Sequence, residues 1–307
     1  MNRIAFRPHA SSLLLRSFRI RSRILLSFVL ALAAADLVAI EFARGAESRR
    51  SSRRSRATTT AAPETTPESE PVAKEETGKP AMTLADALKF AEESRAAVKE
   101  VKDYTAVFTK TELVKGRMIR QEMDMKFRAR PFSVYLKYRS EAEAGRQAIY
   151  VEGRNDNRLA VKEVGLKGVV PLQLKLDSAL VMDENRYPVT HVGIANLLKT
   201  ATSTWERESK MQGIQPEVKF FPNAKLGDVP CQVVQVTQPK PHKDLKYYIG
   251  RVYFDKETKL PIRAECYGWP RNPREKKPPL VEDYIYSNLK LNVGLTDADF
   301  TPARYGF

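Results

Sequence analysis

A proline that interrupts two alternating apolar patterns constrains this chain more than any other feature. From residue 122 to 128 apolar and charged residues alternate, and a period-two pattern resumes from 132 to 139. Such alternation is typical of strands with one buried face. Because Pro131 cannot donate a ladder hydrogen bond and favours an extended backbone at Arg130, it belongs at a bend or rim. We therefore predict two antiparallel strands that meet at a corner.

The rest of residues 83–307 follows the same two kinds of pattern. Helical spacing predicts an amphipathic helix from residue 84 to 101, with Thr83 as its N-cap, and a second within 189–211, with Thr190 as candidate cap. Alternation bounded by turn residues predicts nine or ten strands, whereas 165–188 is irregular. An antiparallel sheet of that length tends to curl. The expected fold class is α+β, with two or so helices covering the concave face.

The first 82 residues are not predicted to belong to this domain. Arginines precede an apolar run from Ile24 to Ile40, which is typical of an export signal, and residues 43–45 offer a small-residue cleavage site. An uncleaved membrane anchor is the alternative, although the run is short for a spanning helix. We therefore predict a signal peptide at 1–45, a Ser/Arg/Thr/Pro/Glu-rich tether at 46–82 and one domain at 83–307. This organisation predicts export to the periplasm or cell envelope of a bacterium.

The chain is strongly basic, with a net charge of +15. A basic domain is attracted to anionic lipid, polysaccharide or nucleic acid. No RNA-binding or helix-turn-helix signature accompanies the charge, so no nucleic-acid partner is expected. An anionic membrane or a cell-wall surface remains a candidate partner, and we expect a monomer.

The sequence contains no recognisable catalytic or cofactor motif. The three histidines lack metal-binding spacing, glycine-rich phosphate loops are absent, and two cysteines are too few for a structural zinc site. We expect no enzyme activity, no metal and no cofactor. An oxidising compartment favours a disulfide between Cys231 and Cys266. A simple meander instead separates them by one strand, or about 10 Å, beyond the roughly 7 Å limit for bridging, so both states stay open.

Three segments resemble the LolA/LolB-like lipoprotein carriers. Arg130-Pro131 between two strands, followed by the Gly-Arg-Asn-Asp-Asn turn at 153–157, is similar to their front half. FDKETKLPIR at 254–263 and YIYSNLKLNVGLTDADF at 284–300 are similar to their closing strands. As a whole, residues 83–307 most resemble an exported bacterial family, domain of unknown function 1571. The resemblance implies an unclosed, strongly curved half-barrel whose helices enclose an apolar cavity for acyl chains.

Two sets of candidate residues follow. Arg130 matches the carriers' arginine that holds a helical lid to the barrel, and the alternative is that it only caps a strand end. The candidate cavity residues, which alternatively only pack against the helices, are Phe108, Met123, Met125, Phe127, Phe132, Val134 and Leu136.

These residues support two hypotheses about function. The first is a non-catalytic envelope protein that binds a lipid or a lipoprotein acyl chain. The second is a structural or interaction domain with a self-filled barrel, which contacts cell-wall polymer, anionic membrane or a protein partner.

Overall fold

The computed structural model describes residues 82–307 apart from 273, 274 and 276. The predicted signal peptide, and the predicted tether up to residue 81, lie outside the described residues. The α-helices are α1 (Leu84–Lys99), α2 (Ala179–Met182) and α3 (Ile194–Glu208). The strands are β1 (Asp103–Val114), β2 (Arg117–Arg128), β3 (Ser133–Tyr138), β4 (Gln147–Val151), β5 (Leu159–Lys162), β6 (Leu172–Leu174), β7 (Glu217–Leu226), β8 (Val229–Thr237), β9 (Ile249–Asp255), β10 (Pro261–Tyr267) and β11 (Leu280–Leu291).

All eleven strands of the described residues form one antiparallel sheet in the order β6-β5-β4-β3-β2-β1-β11-β10-β9-β8-β7. The chain runs outward from β1 to β6, passes through α2 and α3 to the opposite edge, and returns from β7 to β11 beside β1. Strands β6 and β7 are the two edges, so the sheet is unclosed. The predicted α+β class with an unclosed antiparallel sheet is confirmed.

The sheet curls around one interior. Leu159 of β5 and Val252 of β9 line the same cavity, although seven strand steps separate β5 from β9. In a flat sheet seven steps would span about 34 Å. The two halves therefore bend toward each other, as expected for a long antiparallel sheet.

The predicted corner is present between β2 and β3. Met123, Met125 and Phe127 are buried, while the charged residues between them are only half-buried. The Arg130-Pro131 peptide bond is cis and lies in the turn that joins the two strands.

Helix α1 begins as predicted. The Thr83 hydroxyl accepts a hydrogen bond from the Asp86 amide, and the Asp86 carboxylate accepts one from the Thr83 amide, which completes a capping box. The helix buries Leu84, Ala87 and Ala91 among apolar residues of α3, β8 and β9. Among the described residues, no helix is both long and apolar enough to cross a membrane.

The predicted start of the second long helix was wrong. Helix α3 begins at Ile194 with Gly193 as N-cap, and residues 189–191 form a separate 3₁₀ turn. Gly193 has a φ of 114°, which only glycine adopts readily, so the helix cannot extend back to Thr190. The first amides of α3 instead donate to sheet phenols: Gly193 to Tyr286 at 2.8 Å and Ile194 to Tyr104 at 3.3 Å.

The count of nine or ten strands and two helices was low. The passage predicted to be irregular contains β6 and α2, which have three and four residues. Elements this short cannot establish a periodicity that distinguishes them from loops.

The last strand departs from the strict alternation of its sequence, which predicts that Ile285, Leu289 and Leu291 share one face. The pairing of β11 with β1 shifts at a bulge near Asn288, whose φ is 51°. Beyond the bulge Leu291 lies opposite Tyr104, whereas Ile285 lies opposite Thr109 on the other face. The bulge therefore turns Leu289 and Leu291 toward the helix-covered face.

Candidate functional site

A cavity of about 380 Å³ lies between the sheet and α3. Phe108, Met123 and Leu136 contribute to its wall from the sheet, and Leu197 and Ala201 contribute from α3. These elements are held together by the α3 amides that donate to sheet phenols and by the apolar stripe of the helix. The sheet and helix thus enclose a site that neither could form alone.

The structure separates the predicted cavity residues into two groups. Phe108, Met123 and Leu136 line the cavity. The other four belong to or pack on the surrounding apolar core without lining it: Met125, Phe127, Phe132 and Val134. Whether the first group binds a ligand stays a prediction.

The interior under the first turn of α3 is filled by aromatic side chains. The ring of Phe127 stacks on Tyr104 with centroids 4.7 Å apart and meets Phe132 edge-on at 5.3 Å. A Cβ atom at Gly193 would lie 2.8 Å from Phe127 Cε2, so α3 approaches this cluster as closely as a glycine allows. The cavity therefore occupies only part of the interior.

Arg130 is exposed at the β2–β3 turn. No described residue forms a hydrogen bond or an ion pair with its guanidinium. Its role as a lid latch stays a prediction.

One end of the cavity carries a network of charged and phenolic groups, which we call the rim network: Lys110, Glu112, Arg186, Tyr187, Tyr247, Glu282 and Tyr284. Its centre is a pair of buried carboxylates, because Glu112 of β1 and Glu282 of β11 lie opposite each other. Glu112 accepts hydrogen bonds from the Tyr284 hydroxyl at 2.5 Å and the Arg186 amide at 2.9 Å. These donors satisfy a carboxylate that would otherwise be costly to bury.

Glu282 is satisfied in a similar way. It accepts hydrogen bonds from the Tyr247 hydroxyl at 2.6 Å, the Tyr187 hydroxyl at 3.1 Å and Arg186 Nε at 3.0 Å. Burial and the nearby negative charge of Glu282 raise the pKa values of Tyr247 and Tyr284 far above the ordinary value of a tyrosine. The two phenols therefore remain protonated donors to the carboxylates at neutral pH.

The signal for this network was present in the strand alternation. Lys110 and Glu112 have the same parity along β1 as the inward-facing Phe108, so the pattern places two charges on an apolar face. Neither residue was among the candidates predicted from the sequence. Their partners come from β11 and from loops more than 70 residues away in sequence, where no local pattern indicates pairing.

A smaller polar pair lines the cavity where α3 ends. Gln238 Nε2 donates to Glu208 Oε2 at 2.8 Å, and both side chains are buried. Burial raises the pKa of Glu208 despite the opposing charge of Arg207.

Both cysteines are free. Strand β9 separates β8, which holds Cys231, from β10, which holds Cys266, as the meander predicted. Cys266 lies opposite Gly250, while Cys231 lies opposite Asp255. Because Gly250 and Asp255 differ in parity along β9, the two thiols project from opposite faces and cannot bridge. The disulfide left open by the sequence is absent from the structure.

The described residues contain no group of three or more His, Cys, Asp or Glu side chains arranged to hold a metal ion.

Several solved structures resemble this chain at low identity. Lipoprotein LppX from Mycobacterium tuberculosis is 15% identical, with 68% of this chain and 96% of that chain covered and a TM-score of 0.40. A LolA superfamily protein from Nitrosomonas europaea is 15% identical, with 73% and 99% covered and a TM-score of 0.29. A putative outer membrane lipoprotein-sorting protein domain from Vibrio parahaemolyticus is 12% identical, with 71% and 97% covered and a TM-score of 0.35. Likenesses this weak carry no argument about the ligand.

No curated protein sequence matches this chain. The model of the family described as "Protein of unknown function (DUF1571)" matches residues 101–307. This match confirms the family resemblance inferred from the sequence, and the chain belongs to the DUF1571 family.

Proposed function

We propose that this chain is a non-catalytic cell-envelope protein that binds a lipid or a lipoprotein acyl chain between the sheet and α3. The cavity of about 380 Å³ carries the proposal, because its volume lies within the range of ligand sites, roughly 300 to 1,000 Å³. Its wall combines Phe108, Leu136 and Leu197 with the flexible, polarisable side chain of Met123. Such a wall can repack around chains of different length.

The envelope assignment rests on the first 45 residues, which lie outside the described part of the chain. Export with cleavage predicts that the mature protein begins near residue 46. Edman sequencing or mass spectrometry of the protein from the envelope fraction measures this directly. A protein that still began at Met1 would contradict cleavage.

Filling the cavity is expected to weaken ligand binding without unfolding the protein. Ala201 lines the cavity from α3, so Ala201→Phe would place a ring where the acyl chain is proposed to lie. We expect the affinity for a fluorescent fatty-acid probe to fall by about tenfold or more, since the ring competes for the same apolar surface. Fluorescence titration measures the affinity, and thermal unfolding reports whether the fold survives.

The matched control is Ala195→Phe, which adds the same ring at an exposed position of the same helix, away from the cavity. This variant should bind the probe like the unaltered chain. Equal binding by both variants would show that the probe does not occupy the cavity. Native mass spectrometry of protein purified from the envelope, followed by lipid extraction, would then identify the natural ligand.

One observation supports the second candidate, a self-filled interaction domain. The rings of Tyr104, Phe127 and Phe132 pack together and fill the interior under the first turn of α3 with the protein's own side chains. If the unaltered chain binds no acyl probe, this candidate replaces the first, and the basic surface becomes the place to look for a partner.

A further inference from the structure

The cavity is small for a lipid site. Its volume of about 380 Å³ lies near the lower end of the roughly 300 to 1,000 Å³ that ligand sites span. A lipid with two or three long chains needs a larger site than a single chain does. The volume therefore favours a ligand with a single chain of moderate length.

The cavity changes from apolar to charged along one direction of the sheet. Successive inward-facing pairs between β1 and β11 are Phe108 with Tyr286, then Lys110 with Tyr284, then Glu112 with Glu282. The four residue steps from 108 to 112 advance about 14 Å along the strand. An amphiphile fits this gradient in one orientation, with its chain toward Phe108 and its head group at the rim network.

Most charges around the cavity are already compensated. Lys110 Nζ lies 3.5 Å from Glu112 Oε2, and Arg186 Nε lies 3.0 Å from Glu282 Oε2. Glu208 accepts a hydrogen bond from Gln238 and lies 4.0 Å from Arg207. Because each of these charged groups is compensated by a neighbour, they contribute little to the electrostatic attraction of a charged ligand.

Lys246 is the exception. Its side chain is exposed at the wall of the cavity. The ammonium lies 4.6 Å and 4.9 Å from the ring centroids of Tyr187 and Tyr247 and donates to the Tyr187 hydroxyl. No carboxylate of the described residues forms an ion pair with it.

The loop that carries Lys246 adds to the positive field. Residues 238–248, which join β8 to β9, contain two further lysines, Lys240 and Lys243, and a single acidic residue, Asp244. The aromatic rings under Lys246 hold its ammonium at the mouth without neutralising it. An ammonium group without an ion-pair partner is expected to attract an anion.

We propose that the ligand is a single-chain amphiphile with an anionic head group, whose chain fills the cavity and whose head group binds Lys246. This inference rests on the proposed function and narrows it to a ligand class. A carboxylate and a phosphate share the required chemistry, and the experiment separates them.

The test measures binding of four twelve-carbon amphiphiles to the full-length chain after removal of copurified lipid. The amphiphiles are dodecanoate, dodecyl phosphate, dodecanol and dodecyltrimethylammonium. We expect at least one anion to bind about tenfold or more tightly than dodecanol, because a hydrogen bond to a charged group is stronger than a neutral one. The ammonium should bind most weakly. The tighter anion identifies the head group as carboxylate or phosphate, and high salt should reduce its advantage.

Lys246→Met tests whether the preference for anionic amphiphiles depends on Lys246, since methionine keeps the apolar stem and removes the charge. This variant should lose the preference for anions while binding dodecanol as before. Lys243→Met, which removes an exposed charge from the same loop but does not line the cavity, should keep the preference. Lys246→Glu should bind anions still more weakly than Lys246→Met.

The outcomes separate the two levels of the proposal. Equal binding of dodecanol and the anions, or tighter binding of the ammonium, overturns the head-group assignment and leaves acyl binding intact. An anion preference that survives Lys246→Met overturns the role of Lys246. Failure of all four amphiphiles to bind overturns the proposed function itself. A two-chain phosphatidate that binds more tightly than its single-chain lyso form overturns the inference from volume.

Discussion

Met125→Glu is expected to lower the free energy of unfolding by about 3 to 5 kcal/mol, a large fraction of the roughly 5 to 15 kcal/mol typical of a folded domain. Met125 is 2% exposed and lies on β2 between Ala106 of β1 and Leu136 of β3. It packs in the core and does not line the cavity. A carboxylate at this position would therefore be buried without a partner or water, and urea unfolding followed by circular dichroism measures the loss.

Two variants control for charge and for shape. Met118→Glu introduces the same carboxylate on the same strand, where Met118 is 47% exposed, and should change stability by no more than about 0.5 kcal/mol. Met125→Leu keeps an apolar side chain of similar volume and should cost less than about 1.5 kcal/mol. If Met125→Glu remained as stable as the unaltered chain, water would have to reach Met125, and the cavity would extend further than the packing indicates.

Local patterns predicted the parts of the fold that depend on neighbours in sequence. Alternation around Pro131 predicted β2, β3 and the faces of Met123, Met125 and Phe127, because strand geometry alone decides which side chains share a face. Thr83 predicted the start of α1 for the same reason, since its capping box with Asp86 is complete within four residues.

The remaining features depend on contacts that no local pattern encodes. The start of α3 depends on Gly193, whose backbone is set by Tyr286 and by the ring of Phe127, both distant in sequence. Aromatic rings occupy the interior under α3, so Phe127 and Phe132 contact other side chains there and do not line the cavity. Alternation predicts that a residue points inward, but only the packing of Phe127 with Tyr104 shows that its space is occupied.

A second buried network lies on the sheet face opposite the cavity and is also absent from local patterns. Glu265 of β10 is 1% exposed and accepts hydrogen bonds from the hydroxyls of Tyr253 and Tyr267, both at 2.6 Å. Arg251 and Arg263 approach the same carboxylate at 3.3 Å and 3.2 Å. One buried anion thus organises two cations and two phenols.

Glu265→Gln is expected to destabilise the fold by about 3 to 5 kcal/mol, because it removes a buried carboxylate and leaves the half-buried guanidinium of Arg251 without its counter-ion, while keeping the side chain's shape. Arg263 retains Asp283 at 3.0 Å, whereas Arg251 loses the carboxylate with which it forms an ion pair. Glu257→Gln makes the same change at an exposed position of the β9–β10 turn and should be nearly neutral. Thermal unfolding of the two variants compares them directly.

The pH dependence tests whether the charge of Glu265 causes the effect. Burial alone would raise the pKa of Glu265, but Arg263, the two phenols and Arg251 outweigh it and hold the pKa below its ordinary value. The stability that an ionised Glu265 contributes is therefore present in full above about pH 4.3, the ordinary pKa of a glutamate, and is lost as the pH falls through the lowered folded value. Asp283 acts in the opposite sense, since burial raises its pKa despite Arg263. We expect the difference in melting temperature between the unaltered chain and Glu265→Gln to be largest at neutral pH and to shrink as the pH falls below about 4.3. A difference that stayed constant from neutral pH to pH 3 would assign the stabilisation to the shape and hydrogen bonds of the side chain instead of its charge.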